Sequence, residues 1–313
     1  MPLVTMKQIM ADSLKLALSP LDPKNPRYAV GAFNFSSLAE IVGIVQGAAA
    51  KNAPVILMAS LGAIKYIGSL ELIADAVKGV ARTYPDVPIC LHLDHATDME
   101  QIKHAVVVGF TNVMIDASKE KFEVNIAKTR EIADFAHKHS PYGIDGCSVE
   151  AELGMLAGHE DNINVSAEDA DKAYTDPDLV PRFVKETQLD ALAVAIGTSH
   201  GFYKAAPKIR FDLLEQIRKC CDVPLVLHGG TGVPEDDFHK CVAMGMSKIN
   251  VGTGLKKVYT DAVREAIRTL PESEYDPRKI VGPGRQAIAD EIASKCEFFS
   301  CAGKAPAVLK SIY

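Results

Sequence analysis

Ala53-Pro54-Val55-Ile56-Leu57-Met58-Ala59-Ser60 is a short apolar run entered through proline and left through a polar residue. An unbroken apolar run suits a strand covered on both faces; a half-exposed strand would alternate. Proline lacks an amide donor, so it fits the first position of a strand and not its middle. The same entry recurs at Val87-Pro88-Ile89 and Val223-Pro224-Leu225. Outward from Val55–Ala59, strand-like runs stand at Tyr28–Phe33, Ile89–Leu93, Asn112–Asp116, Ser148–Leu153, Ala191–Ile196, Leu225–His228 and Ser247–Val251. Helical patterns fill the gaps: Ser37–Lys51, Ser69–Thr83, Met99–Val108, Val124–His139, Pro177–Thr187, Phe211–Lys219, Glu235–Met244 and Leu255–Arg268. Eight strand–helix units predict an α/β fold, a (β/α)8 TIM barrel. A doubly wound sheet would need a glycine-rich fingerprint after its first strand, and Asn34-Phe35-Ser36-Ser37 is not one.

The 313 residues are read as one barrel domain, with units over about 28–270 and a C-terminal helical extension over about 271–313. A further helix is expected near Arg285–Lys295. Gly154–Asp176, a long polar insertion after the fifth strand, reads as a mobile functional lid.

Apolar residues at 48% supply a full core, which excludes a disordered chain. Lys+Arg 34 against Asp+Glu 40 leaves a net charge of -6, so neither nucleic acid nor an anionic membrane is an expected partner. Small anionic substrates need only a few local cations and remain open. The seven cysteines are odd in number and form no CxxC, so no disulfide frame or cysteine zinc site is expected. Met1–Ser19 has no apolar signal-peptide core, and no apolar run reaches about 18 residues. A cytoplasmic location is the expectation.

In such a barrel the C-terminal strand ends carry the chemistry. His95, His200 and His228 fall at equivalent ends of strands 3, 6 and 7. One such histidine is more often a satisfied loop residue. Three, with Asp94 beside the first, match a zinc site with an open fourth position. His92 reads as support for the site or as core, and His104, His137, His139 and His239 as surface residues on helices. Glycine turns Gly229–Gly232 and Gly252–Gly254 follow strands 7 and 8, where these barrels often hold a phosphate. No lysine ends strand 6, and Lys248 sits at the wrong end of strand 8, so a Schiff-base route has no evident nucleophile. A zinc ion can instead polarise a ketone and stabilise an enediolate, with Asp94 moving a proton at a substrate hydroxyl.

Five stretches carry a resemblance: Leu93-Asp94-His95, Val113–Ser118, Ser148–Gly154, Ala193–Gly201 and Lys248–Val251. In this order they resemble the motifs of the class II, zinc-dependent ketose-bisphosphate aldolases, over about Tyr28 to Gly303. The resemblance implies reversible cleavage of fructose 1,6-bisphosphate to dihydroxyacetone phosphate and glyceraldehyde 3-phosphate. It implies His95, His200 and His228 as Zn2+ ligands and Asp94 as proton donor to the C4 hydroxyl. Glu160 would remove the C1 proton of dihydroxyacetone phosphate, and Asp116 with Glu152 would form a second metal position or support the first. The dihydroxyacetone phosphate site would fall on Gly201, Gly229, Gly230, Thr231, Asn250, Val251, Gly252 and Thr253. Backbone around Gly201 and Gly229 would also take Na+ or K+. Asn34 would contact the substrate, Ser60 would lie near the other phosphate, and Arg285 would bind the C6 phosphate in a neighbouring subunit of a homodimer (or tetramer).

The chain departs from the family pattern in places. The lid reads Ala157-Gly158-His159-Glu160-Asp161, Ser118-Lys119 replaces a frequent Ser-His, and Gly230-Thr231 stand where Ser or Ala is common. Gly252 and Lys256 resemble tagatose-bisphosphate enzymes, whereas Gly282-Pro283-Gly284-Arg285 resembles fructose-bisphosphate enzymes. Tagatose 1,6-bisphosphate or another phosphorylated ketose is therefore the alternative substrate. A barrel metallohydrolase is the alternative of another class, but it would carry His-x-His after strand 1, and Asn34-Phe35-Ser36 supplies none. A non-catalytic metal-binding barrel would have no use for Asp94 and Glu160 beside the three histidines.

Overall fold

The strands in chain order are β1 (Val30–Asn34), β2 (Val55–Ala59), β3 (Ile89–Ala96), β4 (Asn112–Ile115), β5 (Ser148–Leu153) and β6 (Ala157–Glu160). They continue as β7 (Ile163–Val165), β8 (Ala191–Val194), β9 (Ser199–His200), β10 (Leu225–Leu227) and β11 (Met246–Val251). Eight of them close a parallel barrel in the order β1-β11-β10-β8-β5-β4-β3-β2. This computed structural model describes residues 2–139, 146–155, 157–160, 163–165, 174–203 and 207–312, with the backbone path alone at 157–160 and 163–165.

All eight expected strands are present, and every residue in them is buried, as continuous apolar runs require. Their ends differ from the expected ones. β3 runs on to Ala96, because pairing with β4 resumes beyond the polar Asp94-His95 step. β8 stops at Val194, short of Ile196.

Helix starts follow capping chemistry. Ser37, Ser69 and Asp98 each accept a backbone N–H from the first turn and open Leu38–Ala50, Leu70–Thr83 and Met99–Val108. Three helices were not expected. Met6–Leu18 opens on a Thr5/Gln8 capping box, and its start bonds to Ile89 and Ser148 where β3 and β5 begin. Leu61–Ile67 follows β2, and Ala305–Lys310 lies near the C-terminus. The helix expected near Arg285–Lys295 is longer, Pro277–Phe298. It lies on Leu38–Ala50, where Cβ atoms added at Gly43 and Gly47 would meet the carbonyls of Arg285 at 2.7 Å and Ala289 at 2.4 Å. His139 was expected on a helix but lies beyond the end of Phe122–Ala136, stacked on Phe135.

The insertion after β5 is partly ordered as strand. β6 pairs antiparallel with β7, and also parallel with β9, in the register Gly158↔His200. Residues 156, 161–162 and 166–173 of the expected lid lie outside the described residues.

Candidate active site

A regular strand sends successive side chains to opposite faces, so Asp94 and His95 should diverge. They do not. The β3–β4 register shifts between Leu93 and Ala96, and His95 takes φ +48°. Such a value is uncommon outside glycine, and a bulge of this kind re-aims side chains. Asp94 and His95 are thereby both buried at the same strand end.

His95 Nδ1 lies 2.9 Å from Asp116 Oδ2, and Asp116 Oδ1 accepts from the Ser118 N–H at 3.1 Å and hydroxyl at 2.7 Å. His95 Nε2 is left buried with no hydrogen-bond partner. His228, just past β10, uses Nε2 on Glu150 Oε1 at 2.9 Å. Its Nδ1 is likewise left buried without a hydrogen bond, 3.5 Å from Glu152 Oε2. His200 ends β9, and one ligand atom from each of the three imidazoles lies within 4.8 Å of the others. Buried polar atoms normally find partners, so two orphaned ring nitrogens converging with a third imidazole fit a metal ion.

Burial and the surrounding carboxylates push His95 and His228 in opposite directions. Burial pushes His95 down, but Asp94, Asp116 and Glu152 more than reverse it, to about 10. Burial takes His228 down to about 4 against the pull of Glu150. Burial raises Asp94, yet His95 and His92 bring it well below the usual carboxylate range. Asp94 is therefore a carboxylate at neutral pH, a form that can take a proton.

Asn34, closing β1, donates Nδ2 to Asp94 Oδ2 at 2.9 Å. On the other side, His92 Nε2 stands 3.7 Å from Asp94 Oδ1, and its ring is held by Asn112. Next to the histidines a cleft is lined by Asn34, His200, Gly201, Gly229, Gly230, Thr231, Asn250, Gly252 and Thr253. Gly229 has φ +68°, and a Cβ there would come within 2.4 Å of the Ser199 carbonyl, so the turn needs glycine. Thr231 accepts the Gly254 N–H at 3.0 Å and joins the two glycine turns. Asn250 keeps its Oδ1 buried and without a hydrogen bond beside this cleft.

Other expected residues stand apart from this cluster. The Ser60 hydroxyl caps Leu61–Ile67 through the Ala63 N–H. Val251 is buried in β11 and does not line the cleft. Lys256 is exposed on the helix Thr253–Thr269, within electrostatic reach of Glu40. Arg285 is exposed on Pro277–Phe298, outside the cleft lining. The backbone of Glu160 lies two residues beyond the Gly158↔His200 pair, and its side chain is outside the described residues.

Several residues were missed or undervalued. Glu150 and Lys248 form a fully buried pair under His228, and the Tyr203 hydroxyl bridges the Ser199 N–H and the Gly229 carbonyl at 2.9 and 2.7 Å. Strand period was the available signal. His92/Asp94, Glu150/Glu152 and Lys248/Asn250 are each two apart and so share the inward face.

A larger cleft, about 1020 Å³, is lined by residues such as Lys7, Asp190, Arg218 and Pro224 where strands begin, away from the histidines. No described helix is long and apolar enough to cross a membrane.

Comparison with known proteins agrees with the site. The pattern of the family described as "Fructose-bisphosphate aldolase class-II" matches residues 21–304. A fructose-bisphosphate aldolase of Geobacillus stearothermophilus is 40% identical, covering 97% of this chain and 99% of that one. One of Staphylococcus aureus (strain Mu50) is 39% identical, covering 97% of this chain and 100% of that one. The crystal structure of the YdjI aldolase of Escherichia coli K12 superposes with TM-score 0.79 at 31% identity, covering 97% of this chain and 99% of that one. Barrel, histidine cluster and sequence kinship lead to one conclusion: this chain belongs to the class-II fructose-bisphosphate aldolases, a family of metal-dependent lyases.

Proposed function

We propose that the chain cleaves fructose 1,6-bisphosphate reversibly into dihydroxyacetone phosphate and glyceraldehyde 3-phosphate, with Zn2+ held by His95, His200 and His228. The observation that carries this reading is the convergence of three buried imidazoles beside the Asp94 carboxylate. Zinc suits an all-imidazole set with an open position, and when bound there it polarises a ketone and steadies the charge left on its oxygen.

The chain's own groups do the rest. Asp94 accepts the C4 hydroxyl proton as the C3–C4 bond breaks, and Asn34 holds it in place. The electron pair of that bond stays on the C3 side, and Glu160 manages the proton there. In the reverse direction Glu160 takes that proton from C1 of dihydroxyacetone phosphate, and Asp94 returns its own. Backbone N–H groups of the turns at Gly201, Gly229–Thr231 and Gly252–Thr253 hold the phosphate of the dihydroxyacetone half, and Asn250 meets a substrate hydroxyl. Gly201 and Gly229 carbonyls are the place for Na+ or K+. Both oxygens of Asp116 already serve His95 and Ser118, which favours support of His95 over a second metal position for Asp116. Ser60, Lys256 and a neighbouring subunit's copy of Arg285 are assigned to the distal phosphate, in a cytoplasmic homodimer.

The names of the relatives at 39–40% identity favour fructose over tagatose bisphosphate. Parallel cleavage assays on the two sugars test the choice, and faster turnover of the tagatose epimer would reverse it.

A further inference from the structure

Beneath the histidines lies an ion pair that the roles above leave unused. Lys248 on β11 and Glu150 on β5 are both fully buried. Lys248 Nζ donates to Glu150 Oε2 at 2.8 Å and Oε1 at 3.1 Å. Oε1 also faces His228 Nε2 at 2.9 Å. Taking two charges out of water is costly, so a buried pair is weak evidence of added stability. What it does supply is a fixed acceptor. An ionised carboxylate can only accept, so the ring nitrogen facing it must carry the proton. His228 Nε2 is then the N–H, and Nδ1 keeps its lone pair. Nδ1 is the ring atom of His228 left without a hydrogen bond, with Glu152 Oε2 at 3.5 Å. By engaging both carboxylate oxygens, Lys248 keeps Glu150 from turning away.

We propose that Glu150 and Lys248 act together as positioning residues, fixing the tautomer and ring orientation of His228 so that Nδ1 is offered to a divalent metal. The proposal rests on the reading of His228 as a metal ligand and adds the pair that prepares it.

Removing either charge alone would strand the other, so both are changed together. Glu150→Leu with Lys248→Met removes the acceptor; Glu150→Gln with Lys248→Met keeps a neutral one. Two readouts are taken: the tautomer of His228 from ¹⁵N spectra of metal-free protein, and zinc affinity by competition with a chromophoric chelator. Wild type and the Gln variant should show the Nε2–H form. The Leu variant should show a mixture and bind zinc about 10–100-fold more weakly, the usual range for lost support of a ligand. The Gln variant should recover most of that loss. An Nδ1–H tautomer in wild type overturns the proposal, and needs no variant to fold. So does wild-type affinity in the Leu variant, or an equal loss in both variants. His228→Ala is measured in parallel. Undiminished zinc binding there overturns the ligand reading itself, whereas weakened binding there with an unchanged Leu variant overturns only the positioning role.

Discussion

Asn34 Nδ2 and Asp94 Oδ2 are 2.9 Å apart, which ties the end of β1 to the carboxylate at the end of β3. Asp94 is thus a held base and not a freely turning one. Asp94→Ala should keep its zinc and still bind bisphosphate while cleavage falls about 10²–10⁴-fold, the usual worth of a positioned acid–base group. Asn34→Ala should lower kcat less, since the carboxylate survives. Steady-state kinetics with metal analysis checks both. Normal turnover in Asp94→Ala would remove it from the mechanism.

His200→Ala and His228→Ala should lose bound zinc and activity together, because two remaining protein ligands are too few for a stable site. Metal content decides the matter. Stoichiometric zinc in an inactive His228→Ala protein excludes His228 as a ligand.

Arg285 sits exposed on Pro277–Phe298, directed by no barrel strand. A guanidinium is a strong phosphate partner through paired donors. Arg285→Ala should raise KM for fructose 1,6-bisphosphate and hardly alter proton exchange at C1 of dihydroxyacetone phosphate, which has no distal phosphate. Mixed with Asp94→Ala protein it should regain activity, since each mixed dimer holds one site with both residues intact. No recovery, in dimers shown to exchange subunits, speaks against a shared site.

That helix depends on glycine for its seat. A Cβ at position 47 would come within 2.4 Å of the Ala289 carbonyl and 2.6 Å of Ile292 Cβ, neither of which can swing aside. Gly47→Ala should cost about 1–3 kcal/mol, the range for overpacking. Thermal melting should show a fall of several degrees, and an unchanged midpoint would mean that the two helices separate freely.

Burial raises the thiols of Cys90 and Cys241 to about 12 and that of Cys221 to about 11. Their folded values exceed the ordinary value of 9.0, so the folded chain holds these protons longer than the unfolded one. Their contribution to stability is complete below about pH 9 and is lost as pH rises toward 12. At pH 9.5, unfolding in urea should produce a jump in thiolate absorbance at 240 nm. Equal absorbance before and after unfolding contradicts the burial.

The barrel was legible because its strands are covered on both faces and so read as unbroken apolar runs. The zinc-ligand candidates were legible because each histidine follows such a run. The polar strand interior was harder. Glu150 and Lys248 are 98 residues apart, and nothing local says that they meet. The bulge at His95 was hidden for a similar reason, since it depends on pairing with β4. Ser60 has a structural task besides the substrate role proposed for it: Ser-x-x before an apolar stretch is a helix start, and its hydroxyl caps Leu61–Ile67.

The central claim is metal-dependent cleavage of fructose 1,6-bisphosphate without a covalent enzyme intermediate. The direct measurement is the rate of triose phosphate release by protein stripped with a chelator and then reloaded with zinc, with a borohydride trapping control. The account predicts that turnover is abolished by stripping, restored by zinc, and leaves no adduct on borohydride treatment. Full turnover by the stripped protein, or a substrate adduct trapped on a lysine, would contradict it.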